Sequence, residues 1–149
     1  MPARSQHKGS GPPWTRVHEE VSNQVKVKDL LRQYRAGERD FTLLSLRQAL
    51  LSGVDLYQAN LSGTDLSEAD LSDGNLTGAR LRRADLSRAR LCGTNLSGAD
   101  LGMADLHQAD LRGADLSYAN LEQTNATSEQ LAQAKTLEGA ILPDGTTYE

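Results

Sequence analysis

The chain has few aromatic residues: Trp14, Phe41 and 4 tyrosines make up 4% of its 149 residues. A core built on ring packing is thereby excluded, and aliphatic side chains must fill the interior. Cys92 is the single cysteine, which rules out an internal disulfide and any zinc site built from several cysteines. No apolar stretch is long enough to span a membrane. The first twenty residues, with Arg4, His7, Lys8, Pro12, Pro13 and Arg16, hold no apolar segment of the kind a signal peptide needs. A cytoplasmic location is the expectation. Positive charge is not in excess either: 16 Lys and Arg stand against 20 Asp and Glu, for a net charge of −4. That balance argues against a general nucleic-acid binder.

What the sequence does have is a period. From Phe41 through Leu46, Leu51 and onward to Leu121, every fifth residue is leucine, with Phe41 in the first place. In an α-helix, steps of five would turn successive leucines by roughly 140° and give them no common face. In a flat strand, an odd spacing would alternate them between the two faces. The pattern becomes consistent if the chain turns a corner once per repeat, so that each short side sends its leucine to a common axis and the coils stack. The spacing predicts a solenoid.

The remaining repeat positions agree. Two residues before each leucine stand small groups such as Ala59, Ala69, Ala79 and Ala89, with Val54, Thr64, Gly74 and Thr94 as substitutes. A second bulky inward group there would overpack a narrow interior. From Leu56 onward, the residue before each leucine is Asp or Asn, except at Arg80 and Arg90. Short polar side chains that bond nearby backbone favour tight turns. The two residues after each leucine are mostly Ser, Gly, Gln or charged, which suits an outward corner.

Runs such as Ala59-Asn60-Leu61-Ser62-Gly63, Ala69-Asp70-Leu71-Ser72-Asp73 and Ala99-Asp100-Leu101-Gly102-Met103 resemble the A(D/N)Lxx signature of the pentapeptide-repeat family. The flanks resemble cyanobacterial members, from Leu30 to Phe41 ahead of the repeats and in Gln130 to Lys135, Leu137 to Ala140 and Pro143 to Gly145 after them. The resemblance implies an all-β solenoid, a right-handed quadrilateral β-helix with four pentapeptides per coil. Four segments are expected: a disordered tail over 1–22, an N-terminal capping helix over 23–38, the β-helix over 39–126, and a C-terminal capping helix and tail over 127–149. Val27, Leu30, Leu31 and Tyr34 fall at helical spacing. Leu43 and Leu50, apolar at positions that are elsewhere polar, are expected to lie under that helix. Thr127 and Gln130 have the spacing of a capping box. Trp14 is either a docking anchor or a stray side chain in the tail.

Residues twenty apart stack at about 4.8 Å, so the surface is read in columns. Asp65, Asp85 and Asp105 form one acidic column. It is either a ladder of charge imitating a nucleic-acid backbone or Asp used for its corner chemistry, and the second is the plainer reading because twelve Asp and Glu against eight Arg over 39–126 is only weakly acidic. Arg80, Arg82, Arg83, Arg88 and Arg90 make a belt around one coil. Arg90 stacks between Asp70 and Asp110, Arg88 beside Glu68, and Arg80 between Asn60 and Asp100. Arg82 has Ser62 and Gly102 in its column, and Arg83 has Gly63 and Met103. Neither has an acidic partner in its own stack. They are the candidate partner-binding residues, with Met103, Arg80 and Arg88 beside them.

Ser67, Ser87 and His107 share a column flanked by Asp85 and Asp105, which brings a serine, a histidine and a carboxylate near one another. On a flat outer face it has neither a pocket nor oxyanion donors, so no enzyme, metal site or cofactor is expected. The expectation is a non-enzymatic interaction module, regulatory in character, presenting a rigid face to a protein partner and making no direct nucleic-acid contact. At least one cyanobacterial member of the family it resembles interferes with a developmental transcription regulator. The alternative is a DNA mimic acting on a type II topoisomerase such as gyrase, with Asp65, Asp85 and Asp105 as its acidic face.

Overall fold

The computed structural model describes residues 13–149. Parallel bridges join residues twenty apart, Asp40 to Asn60, Ser45 to Asp65, Leu50 to Asp70 and Asp55 to Asn75, and the same four columns continue to Asp100 with Asn120. Each coil therefore has four sides and each side contributes one bridge. Four coils, 40–59, 60–79, 80–99 and 100–119, stack in this way. Sides this short form no extended strand, so the ladder consists of isolated bridges.

The axis is filled by leucine. Leu51 through Leu101 at every fifth position are 0% exposed, and the alanines between them are almost as deeply buried. Each side closes with a turn in which the leucine carbonyl accepts from the N–H three residues on, as from Ala59 to Leu56 at 3.0 Å. The second central residue of every turn from 43 to 123 has positive φ. Six of these are glycines and eleven are not, so all seventeen turns share the conformation. A left-handed residue other than glycine costs roughly 1–2 kcal/mol in isolation. The leucine stack and the inter-coil hydrogen bonds hold the turns against that cost. Asp and Asn before each leucine anchor the corner: Asp70 Oδ1 accepts from Ser72 N–H at 3.0 Å and from its hydroxyl at 2.6 Å.

Helix α1 spans Pro13–Arg35. It begins ten residues before the expected boundary at 23, on a proline whose fixed φ suits a first helical turn. Residues 13–22 are therefore helical, and residues 1–12 of the expected tail lie outside the described residues. Trp14, at 65% exposure, sits in the first turn. The helix stops at Gly37, with φ 103°, while Glu38 N–H bonds Gln33 C=O and Gly37 N–H bonds Tyr34 C=O. This is a Schellman ending, which needs a left-handed residue at that place.

Val27 and Leu30 bury against the first coil beside Phe41 and Leu46. Asn23 Nδ2 donates to Arg47 C=O at 3.1 Å, and the Tyr34 hydroxyl to Tyr57 C=O at 2.8 Å. Leu43 and Leu50 are not under the helix: they are 82% and 67% exposed. The helix crosses the axial end of the stack, where Phe41 and Leu46 point, whereas Leu43 and Leu50 point outward from the perimeter.

The solenoid also runs past 126. Helix α2, Ser128–Ala132, has both halves of a capping box between Thr127 and Gln130. It replaces one side of a fifth coil. Asn125 Oδ1 accepts from Leu106 N–H at 2.6 Å, and Gln130 Nε2 donates to Leu106 and Ala109 C=O at 2.7 and 3.0 Å. Side-chain amides thus fill places that backbone fills in the other coils. The chain then rejoins the ladder with one extra residue, Asp115 bridging Thr136 and Asn120 bridging Ile141. A turn at Pro143-Asp144-Gly145 sends the tail back antiparallel, so that Tyr148 N–H bonds Ala140 C=O and Tyr148 C=O accepts from Gly139.

Candidate interaction surface

The arginine belt lies on the third coil. Arg80 and Arg90 occupy bridge positions, while Arg82, Arg83 and Arg88 occupy the two turn positions after a leucine. Arg90 pairs loosely with Asp70 at 3.9 Å. Arg88 Nε donates to Gln108 Oε1 at 2.9 Å, and Glu68, its expected neighbour, is bound by Arg47 at 3.1 Å.

Arg82 is not unpartnered. Its guanidinium lies across Gly102 and meets Asp100 Oδ1 at 3.2 Å. Asp100 also accepts from Gly102 N–H and Asn120 Nδ2, so the carboxylate is held from three directions. The partner stands in the neighbouring column, which a reading along one stack misses. The signal was present: Gly102 leaves an open path, and Asp100 precedes it by two residues.

Arg83 has no ion pair among the described residues, and the same is true of Arg80; both are exposed. Arg83 sits at φ 60° on a corner, with Gly63 above and half-buried Met103 below. Of the candidate partner-binding residues, the structure therefore leaves Arg83 and Arg80 available, with Met103 alongside Arg83. It ties Arg82 and Arg88 to neighbours.

The acidic column is built as Asp65, Asp85 and Asp105, bridged in sequence. Its carboxylates face their own corners. Ser67 and Ser87 give both N–H and hydroxyl to Asp65 and Asp85, each hydroxyl at 2.6 Å. Asp105 takes Asn125 Nδ2 at 2.8 Å and His107 N–H at 3.0 Å, which hold its pKa below 3.8. The serine hydroxyls thus point at carboxylates, and no hydrogen bond joins them to the exposed His107 ring among the described residues.

Cys92 is half-buried, its thiol pushed up by burial and by Asp110, with Arg112 Nη2 at 3.8 Å. No group of His, Cys, Asp and Glu among the described residues is arranged to hold a metal ion, and no described helix is long and apolar enough to cross a membrane.

A family model of pentapeptide repeats matches the chain in 8 copies, over residues 40–73, 75–113 and 104–128. Among solved structures, alr5209, a pentapeptide repeat protein from Nostoc PCC 7120, is 39% identical over 72% of this chain and 93% of that one, with a TM-score of 0.67. HetL, a pentapeptide repeat protein involved in heterocyst differentiation regulation in Nostoc sp. strain PCC 7120, is 24% identical over 80% of this chain and 98% of that one, with a TM-score of 0.37. AT2G44920, a pentapeptide repeat protein from the Arabidopsis thaliana thylakoid lumen, is 26% identical over 73% and 80%, with a TM-score of 0.41. No curated protein matches. With the repeat matched over more than half of its length and the coil geometry in place, this chain belongs to the pentapeptide-repeat family.

Proposed function

We propose that the protein is a non-enzymatic, regulatory interaction module, a right-handed β-helix whose third coil presents Arg83 to a protein partner. The observation that carries this reading is the contrast between two adjacent arginines. Arg82 is spent on Asp100, while Arg83 stands exposed on a corner with no ion pair among the described residues. A free guanidinium next to a half-buried methionine combines charge with apolar contact area, the combination enriched where partners bind. Arg80 extends the same positive surface.

The DNA-mimic reading draws less support. In its acidic column one oxygen of each carboxylate, Oδ1, is already bound, by a serine hydroxyl at Asp65 and Asp85 and by Asn125 Nδ2 at Asp105. The belt would also place positive charge in the middle of the imitated backbone.

The test is retention of a partner by the immobilised protein, wild type against Arg83→Glu and Arg82→Glu, together with gyrase supercoiling assays on the same three proteins. Arg83→Glu weakens retention by about 1–2 kcal/mol, and Arg82→Glu does so less. Equal retention by all three removes Arg83 from the interface. Inhibition of supercoiling that grows in Arg83→Glu favours the mimic instead.

A further inference from the structure

Helix α1 crosses the end of the rod from corner to corner. Asn23 reaches Arg47 C=O and the Tyr34 hydroxyl reaches Tyr57 C=O, and these two turn residues belong to opposite corners of the first coil. A helix on the diagonal leaves a corner beside it on either hand. At the corner around residues 42–45 a groove of about 380 Å³ runs between α1 and the first coil. That is a volume at the lower end of ligand clefts, which run from roughly 300 to 1,000 Å³. Leu30, Phe41 and Leu46, all buried, form its floor, and Leu44 forms a wall. Leu44 is 39% exposed, although Thr64 and Ala84, its successors in the same column, are buried.

The backbone inside this groove is unpaired. In the coil beneath, Asp65 N–H donates to Leu44 C=O at 2.9 Å and Asp65 C=O accepts from Leu46 N–H at 2.7 Å, so both groups face the α1 end. Ser45 holds the equivalent position in the first coil and lines the groove, and among the described residues neither its N–H nor its C=O has a partner. The rim carries charge of one free sign. Asp29 is bound by Arg32 and Gln33, and Asp40 Oδ1 accepts from the Thr42 hydroxyl. Lys26 is exposed and has no ion pair among the described residues.

We propose that the groove takes a short extended acidic segment of a protein partner, which bridges its main chain to Ser45, lays an aliphatic side chain against Leu44 and sets a carboxylate beside Lys26. Addition of an extended chain to an open edge draws affinity from main-chain bonds and selectivity from side-chain pockets. One bridge per side is also how the rod holds its own coils, so the bond at Ser45 repeats that pattern once outward. Charge complementarity sets the sign of the segment, because Lys26 is the rim charge left without an opposite. The width of the groove sets its size: α1 occupies the axis of the stack through Val27 and Leu30, which leaves room for a short peptide beside the helix and none for a further coil or a second rod.

The probe is a displayed library of random nine-residue peptides, selected on the immobilised full chain; enriched peptides are then synthesised and titrated by fluorescence anisotropy. Enriched sequences combine Asp or Glu with Val, Ile or Leu. Lys26→Glu raises their dissociation constant about tenfold or more, and changing the peptide's acidic residue to lysine restores binding to that variant. Leu44→Thr raises it about fivefold; threonine holds this place in the next coil, so the fold is retained, which thermal melting verifies. Amide exchange at Ser45 slows when peptide is bound. Arg83→Glu, two coils away, leaves peptide binding unchanged, so the groove and the Arg83 surface are tested separately. A library that yields no binder, equal affinity for wild type, Lys26→Glu and Leu44→Thr, an unslowed Ser45 amide, or a loss in Arg83→Glu as large as in Lys26→Glu overturns the proposal. Self-association of the wild type that Leu44→Thr removes also overturns it, by assigning the groove to a second copy.

Discussion

The Arg82 guanidinium crosses the α-carbon of Gly102 to reach the carboxylate of Asp100, 3.2 Å away on the next coil. A Cβ on residue 102 would collide with that guanidinium, so the ion pair exists because position 102 has no side chain. The same overhang recurs on this surface: Leu43 lies over Gly63, Gln58 over Gly78, and Tyr118 over Gly139. Long side chains here lean along the rod wherever the next coil carries glycine.

The first prediction follows directly. Gly102→Ala displaces Arg82 from Asp100 and frees a second arginine beside Arg83. The pair is about two-fifths exposed, so its loss costs at most ~1 kcal/mol. Urea titration should show a small drop in midpoint, and Arg82→Ala should show a similar one. A loss of several kcal/mol in Gly102→Ala alone would mean that the backbone, not the arginine, yields.

Leu81 is 0% exposed in a central coil. Leu81→Ala should cost roughly 2–5 kcal/mol, because a cavity in a stack of fixed pitch has little room to collapse. Leu81→Asp should abolish folding. Chemical denaturation of the first and circular dichroism of the second are the measurements, and a wild-type melting temperature for Leu81→Asp would show that the leucines do not face the axis.

Gln130 caps its own helix and satisfies two carbonyls of the fourth coil. Gln130→Ala leaves those carbonyls with no donor from α2 and removes half of the capping box. The cost should be roughly 1–3 kcal/mol. Glu129→Ala, an exposed neighbour, serves as the reference and should change the unfolding free energy little.

Acid should loosen the corners. The pKa values of Asp70 and Asp115 lie below 3.8, held down first by the hydroxyls of Ser72 and Ser117, and Asp105 is lowered by Asn125. A depressed carboxylate contributes stability that is present above its unfolded pKa and lost as pH falls through its folded one. Unfolding free energy should therefore be flat with respect to these groups above about pH 5 and decline below the ordinary carboxylate range. Ser72→Ala should make that decline shallower, which a melting series against pH would reveal.

Much of this architecture was legible in the residues. The five-residue spacing of leucine excludes helix and flat strand, and Ala at the second inward position with Asp or Asn at the corner leaves a stacked coil as the consistent alternative. Local rules were enough because each repeat is set by its own turn and its own corner bond. The same locality makes the Thr127 and Gln130 capping box readable, since its partners are three residues apart.

Tertiary structure decided what depends on contacts between coils and across ends. The start of α1 at Pro13, the exposure of Leu43 and Leu50, and the role of Asn125 and Gln130 as substitutes for backbone all depend on where the stack ends in space. The pairing of Arg82 with Asp100 is of the same kind. Column spacing specifies which residues lie above one another, but a long side chain takes the diagonal when glycine opens it. The sequence by itself determined the solenoid because its period is local and repeated. The separation of a committed Arg82 from an exposed Arg83 was left to the packed molecule, because it turns on side-chain reach between coils rather than on period.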